Sequence, residues 1–182
     1  MTNHTKQVAF LVAAEGIEEV ELTSPWTAVK DAGWTPKLLS PESGEVQAFN
    51  HLDKSNTYPV DATVAAETPD DYAALVLPGG VANPDALRQD ADAVRFVQQM
   101  METGKPVAAI CHAPWVLAEA DVVRGRTVTS YPSVRTDLRN AGAEVVDEKV
   151  VVDRNLITSR NPDDLEAFNA ALLEALHHGA AG

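Results

Sequence analysis

Three short runs, Gln7 to Ala14, Ala73 to Leu77 and Val107 to Ile110, are apolar almost throughout, and they constrain this chain more than anything else in it. A strand with one wet face alternates apolar and polar residues. A strand buried on both faces does not, and such strands belong to parallel sheets covered by helices on each side. The second run is cut off by Pro78-Gly79-Gly80 and the third by Cys111-His112-Ala113-Pro114, so the chain turns sharply as it leaves each.

The segments between these runs fit that architecture. Leu22 to Ala32 predicts a helix, with Ser24-Pro25 near its start and Gly33 at its stop. Thr35 to Ser40 predicts a strand, and the polar stretch Glu45 to Thr63 a hairpin or loop excursion. Asp90 to Thr103 and Pro114 to Ala120 predict helices on either side of the third run. Beyond them lie a strand at Thr127 to Thr129 and a helix at Val134 to Ala141. Strands at Val150 to Val152 and Leu156 to Thr158 and a last helix after Asn161-Pro162 complete the chain. Strands alternating with helices predict an α/β fold, a flavodoxin-like three-layer sandwich with a mostly parallel central sheet. With 182 residues, no repeat and no linker, residues 1–182 read as one domain.

Composition narrows the function. A net charge of −13 without any run of Lys or Arg argues against nucleic acid and anionic membranes as partners. No apolar run approaches a membrane span. Val8 to Ala14 has the length of a signal core, but Glu15, Glu18, Glu19 and Glu21 follow it and only Lys6 precedes it, so it reads as a strand and the expected location is cytoplasmic. The single cysteine can form no intrachain disulfide and no thiolate zinc site, and the five histidines lack metal-ligand spacing. No metal or other cofactor is expected.

Ligands of open parallel sheets bind beyond the carboxyl ends of the strands. Three features fall there: the acidic segment after the first strand, Gly79-Gly80, and Cys111-His112. By position alone Cys111 reads equally as a buried structural thiol or as a reactive one, its thiolate favoured by amide N–H groups at a helix start. The adjacent His112, the small Ala113 and the nearby glycines tilt the reading towards a nucleophile elbow. His112 is then its base or imidazolium partner, although neighbours in sequence face one another only in an unusual turn; a surface histidine flanking the elbow is the alternative. Gly79 and Gly80 offer amides to an oxyanion, or simply make a tight turn. Glu18 and Glu21 stand one helical turn apart and are either solvated acids or, if one is held protonated, a proton donor to sulfur.

Several segments together carry a resemblance. Ala109-Ile110-Cys111-His112-Ala113-Pro114, Glu18-Glu19-Val20-Glu21-Leu22, Leu75-Val76-Leu77-Pro78-Gly79-Gly80 and Thr129-Ser130-Tyr131-Pro132 stand in the order found in the PfpI (protease I) family. So do Arg124-Gly125-Arg126, Asn140-Ala141-Gly142-Ala143-Glu144, Val150-Val151-Val152-Asp153 and Thr158-Ser159-Arg160. The chain therefore resembles that family, part of the superfamily named for the parkinsonism-associated protein DJ-one, and its general-stress-protein type. The resemblance implies a stress-response cysteine hydrolase with Cys111 as nucleophile, His112 beside it and Glu21 as the acid nearest sulfur. It also implies a homo-oligomer, dimer or hexamer, in which Asp85 reaches the site of a neighbouring subunit; capping the short helix that leads to Arg88 is the alternative role for Asp85. Two other functions share the elbow: glyoxalase- or deglycase-like chemistry on a small carbonyl such as methylglyoxal, and non-enzymatic redox sensing or chaperone-like behaviour. The chain departs from the family at Ala113, where glycine is usual, and at Asp85, where some members carry Glu.

Overall fold

The computed structural model describes residues 5–180 of the 182-residue chain. His4, to which the sequence assigns no role, lies outside them. Strand β1 (Gln7–Leu11) and a short β2 (Glu15–Glu18) lead into helix α1 (Glu19–Asp31), and β3 (Thr35–Ser40) follows. A hairpin of β4 (Glu45–Asn50) and β5 (Asp53–Pro59) precedes β6 (Ala62–Thr63). The middle of the chain holds β7 (Ala74–Leu77), α2 (Ala82–Leu87), α3 (Ala91–Glu102), β8 (Val107–Ile110) and α4 (Pro114–Glu119). The last third holds β9 (Thr127–Val128), α5 (Arg135–Asn140), β10 (Glu144–Val145), β11 (Val150–Asp153), β12 (Leu156–Ser159) and α6 (Leu165–Ala180).

Seven strands form the central sheet in the order β11-β12-β8-β7-β1-β3-β6. All neighbours run parallel except β11, which returns antiparallel along β12. This is the flavodoxin-like order, with a switch point between β1 and β7 where successive connections leave in opposite directions. Alternate residues of each strand serve opposite layers. Ala9, Leu11, Leu75, Leu77, Val107 and Ala109 pack with α3 and α4, against Phe96, Val97, Met100 and Leu117. Val8, Phe10, Val76, Ala108 and Ile110 face α1 and α6, against Leu22, Val29, Phe168, Leu172 and Leu176. Helix α3 presents its apolar stripe from an Asp90 cap, whose carboxylate accepts from the Ala93 amide at 2.8 Å.

Three elements differ from the sequence expectation. The apolar run from Gln7 does not continue as one strand to Ala14: β1 ends at Leu11, and β2 belongs to a second sheet, β2-β4-β5. The break has a local cause, because the Ala13 amide donates to the Asn83 side chain at 2.7 Å and Gly16 adopts a φ of 88°. Helix α1 starts three residues earlier than Leu22, so Pro25 lies inside it rather than near its start. Without an N–H, Pro25 can donate nothing to the Glu21 carbonyl one turn before it. Finally, β9 pairs with β10 in a two-stranded ribbon outside the central sheet.

Candidate active site

Cys111 leaves β8 with a φ of 66°, a left-handed conformation that residues with a Cβ avoid. Both of its backbone groups are held: its amide donates to the Ser159 carbonyl at 3.1 Å, and its carbonyl accepts from the Tyr131 amide at 2.9 Å. The end of β12 and the segment that follows β9 thus fix a bend that the residue alone would not choose, and the thiol projects at the carboxyl edge of the sheet. That is the nucleophile elbow expected from the sequence.

The bend also accomplishes what adjacency normally forbids. Cys111 Sγ lies 3.0 Å from His112 Nδ1, and His112 Nε2 lies 3.2 Å from Ser133 Oγ. The ring stacks on Tyr131 at a centroid distance of 4.4 Å and meets Trp115 edge-on at 5.2 Å. His112 is only 7% exposed, which overturns the alternative of a surface histidine flanking the turn.

Glu21, on the first turns of α1, is wholly buried, and neither of its carboxyl oxygens makes a well-formed hydrogen bond among the described residues. Burial, reinforced by the charge of Glu18, pushes its pKa up to about 8, opposed only in part by the nearby Gly80 amide, the Cys111 thiol and the Gly79 amide. The carboxyl is therefore largely protonated at neutral pH, the condition under which an acid can sit beside sulfur. Glycine is obligatory at both turn positions. A Cβ on Gly79 would stand 2.6 Å from Glu21 Oε1 and 2.7 Å from Cys111 Cβ; one on Gly80 would strike the Gly16 carbonyl and stand 2.8 Å from the Glu18 amide.

Burial works against the sequence expectation of a thiolate favoured by amide N–H groups. Cys111 is 7% exposed, and its pKa is raised, first by desolvation and then, where Glu21 has ionised, by the charges of Glu21 and Glu18. The amides of Gly80 and His112 face the sulfur and oppose this shift without cancelling it. Helix α4 spans six residues, too few for a strong dipole to make up the difference. Burial also lowers the His112 pKa, so the ring rests neutral. The site at neutral pH is a set of uncharged groups, thiol, imidazole and carboxylic acid, in which charge separates only when a substrate arrives.

The remaining candidates divide. Glu18 is half-buried and accepts from the His51 amide at 3.2 Å, so it clamps the β4–β5 turn while its charge acts on Glu21. Asp85 is exposed in the first turn of α2, and no hydrogen bond or ion pair joins it to His112 within the described chain. It does not cap that helix either, since the N-cap position is Val81 and no side chain bonds there. Sequence reasoning missed Asn83, which is fully buried and accepts from Ala13 N while donating to the carbonyls of Pro78 (2.9 Å) and Gly79 (3.0 Å). It also missed Ser133. Among the described residues no cluster of three or more His, Cys, Asp or Glu could hold a metal ion. A cavity of about 1130 Å³ opens elsewhere, against Lys105, Arg126 and Asn155 at the amino ends of β8 and β12.

A parallel sheet in flavodoxin-like order with a strained cysteine elbow facing a buried glutamate defines a class, and comparison with known proteins identifies it. Residues 6–175 match the model of the DJ-1/PfpI family, and the chain belongs to that family. It is 41% identical over 172 residues to a Bacillus subtilis protein named "Putative cysteine protease YraA", covering 94% of this chain and 99% of that one. The solved two-domain protein of Anabaena variabilis, with DJ-1/ThiJ/PfpI-like and ferritin-like domains, superposes with a TM-score of 0.89 at 38% identity, over 96% of this chain and 49% of that one. Drosophila melanogaster DJ-1beta superposes with a TM-score of 0.84 at 28% identity, over 98% and 97% of the two chains. No helix among the described residues is long and apolar enough to cross a membrane.

Proposed function

We propose that this protein is a stress-response cysteine hydrolase of the protease I type. The observation that carries the reading is the 3.0 Å approach of Cys111 Sγ to His112 Nδ1 across the elbow. Because the thiol pKa is raised and the imidazole rests neutral, deprotonation belongs to the moment of attack. As Sγ bonds to the substrate carbonyl carbon, the thiol proton passes to Nδ1 and the carbonyl electrons move onto oxygen. The Gly80 amide, with Gly79 beside it, is the donor set for that oxyanion. The imidazolium then returns its proton to the leaving amine, and water cleaves the thioester. Glu21, protonated and adjacent, stabilises sulfur without adding a negative charge. Asp85 of the partner subunit completes the constellation in a dimer or hexamer. The cytoplasmic setting rests on the family resemblance and the lone unpaired cysteine.

A second reading, glyoxalase- or deglycase-like turnover of a small carbonyl compound, is favoured by one observation. At 7% exposure the thiol is accessible to a small aldehyde more readily than to a folded polypeptide. The deciding experiment measures turnover of methylglyoxal and of a peptide panel by the wild type and by Cys111→Ala, with chelator-treated controls. Peptide cleavage lost in the variant supports the hydrolase, and methylglyoxal turnover alone supports the second reading. Equal activity of the two proteins on both substrates refutes both.

A further inference from the structure

We infer that Ser133 is the group that orients His112, holding the ring in the tautomer whose Nδ1 faces the thiol. The inference rests on the proposed role of His112 as base but is tested apart from turnover. An imidazole that acts on Sγ through Nδ1 must have its Nε2 proton accepted by something. The polar group on that side of the ring is Ser133 Oγ, at 3.2 Å, and it makes no other hydrogen bond among the described residues. One face of the ring stacks on Tyr131 and Trp115 meets it edge-on, so the ring is held and its nitrogens find their partners in its own plane.

The arrangement holds through the reaction. With a thiol at rest, Sγ–H donates to Nδ1, leaving the proton on Nε2, and Ser133 Oγ accepts it. After proton transfer both ring nitrogens donate, Nδ1 to the thiolate and Nε2 still to Ser133. The same hydroxyl oxygen thus serves both states without moving. Ser133 lies in the turn Pro132–Val134, directly after Tyr131, whose amide holds the Cys111 carbonyl. One short segment therefore fixes the nucleophile's backbone, the base's face and the base's far nitrogen. Ser133 is exposed, which leaves its own hydroxyl proton free for an acceptor outside the chain. Asp85 of the partner subunit, where it is present, would act on His112 through this hydroxyl.

The test uses the full-length protein labelled with 15N-histidine, with the His112 signals assigned by their loss in His112→Gln. In the wild type the neutral ring should carry its proton on Nε2. Ser133→Ala and Ser133→Val should shift the ring nitrogens towards a mixture of tautomers and slow alkylation of Cys111 by iodoacetamide about tenfold, as loss of one such hydrogen bond implies. Ser133→Thr, isosteric with Val but retaining the hydroxyl, should restore both readouts, and that pair decides the matter if the Ala variant disturbs the turn. Unchanged ring shifts and alkylation in Ser133→Val, or a Thr variant that behaves as Val does, overturns the inference. Full turnover by Cys111→Ala would refute the hydrolase reading instead and leave the tautomer result standing.

Discussion

Glu21 and Cys111 meet across the space where Gly79 has no side chain: a Cβ placed there would stand 2.6 Å from the carboxyl oxygen and 2.7 Å from the cysteine Cβ. The turn glycine is thus what lets an acid from α1 and a thiol from β8 share one pocket. Gly79→Ala should destabilise the protein by about 1–3 kcal/mol through overpacking and move the two groups apart. Urea denaturation measures the first effect. The second appears as a downward shift of the thiol titration, because the carboxyl charge is then further away. A variant as stable as the wild type with an unchanged titration would show that the contact relaxes freely.

The buried carboxyl makes stability depend on pH in a definite direction. Its pKa rises from 4.5 to about 8 on folding, so the native state holds a proton that the unfolded chain releases more readily. Its contribution is whole below pH 4.5 and is lost as pH rises through about 8. Glu21→Gln removes the titration, so the wild type should lose stability relative to the variant between those values, by at most about 5 kcal/mol. Melting curves at intervals from pH 5 to 9 check this, and parallel pH profiles for the two proteins would contradict it.

Asn83 ties the end of β1 to the Gly79 turn with three buried hydrogen bonds. Asn83→Leu, similar in size but unable to bond, should cost about 2–4 kcal/mol because it strands one amide and two carbonyls. It should also reduce turnover even where the protein remains folded, as seen by denaturant midpoints alongside kcat. Loss of stability at full kcat would confine Asn83 to a scaffold role.

Asp85 makes no bond to His112 in its own chain, so its proposed role requires a neighbour. Mixing Cys111→Ala with Asp85→Ala under subunit exchange should regenerate sites holding both groups, about a quarter of the total in a dimer. Activity assays before and after exchange, with mass spectrometry to confirm mixing, read this directly. Mixtures that stay inactive despite exchange would remove Asp85 from the site.

The parts of this fold legible in the sequence were those decided by burial. Ala74–Leu77 and Val107–Ile110 are apolar because both faces are covered, and they stand where expected to within one residue. The hairpin, read as a hairpin or a loop excursion, left its strand bounds open because burial is mixed in β4 and slight in β5. Helix α1 was misplaced because Pro25 suggests a first turn, whereas its actual start is set by tertiary contacts of Glu18 and Glu19 with the hairpin. Within the candidate site, Cys111, His112 and Glu21, which the structure brings together, are legible through motif and position. Asn83 and Ser133 are not, because their roles depend on a crossing of β1 with α2 and on a turn facing His112, neither of which leaves a local pattern. The thiol's upward shift was equally hidden, being a sum over burial and two carboxylates.

The β4–β5 hairpin pairs with β2 and is tied further by two acids where β2 meets α1: Glu18 accepts from His51, and Glu19 from Asn56 and Tyr58. Glu18 is also the charge that helps keep a proton on Glu21. The hairpin is therefore an exchangeable handle on the chemistry. A different loop grafted there would reposition one carboxylate and retune the acidity of the buried acid, with every residue that touches a substrate left as it was.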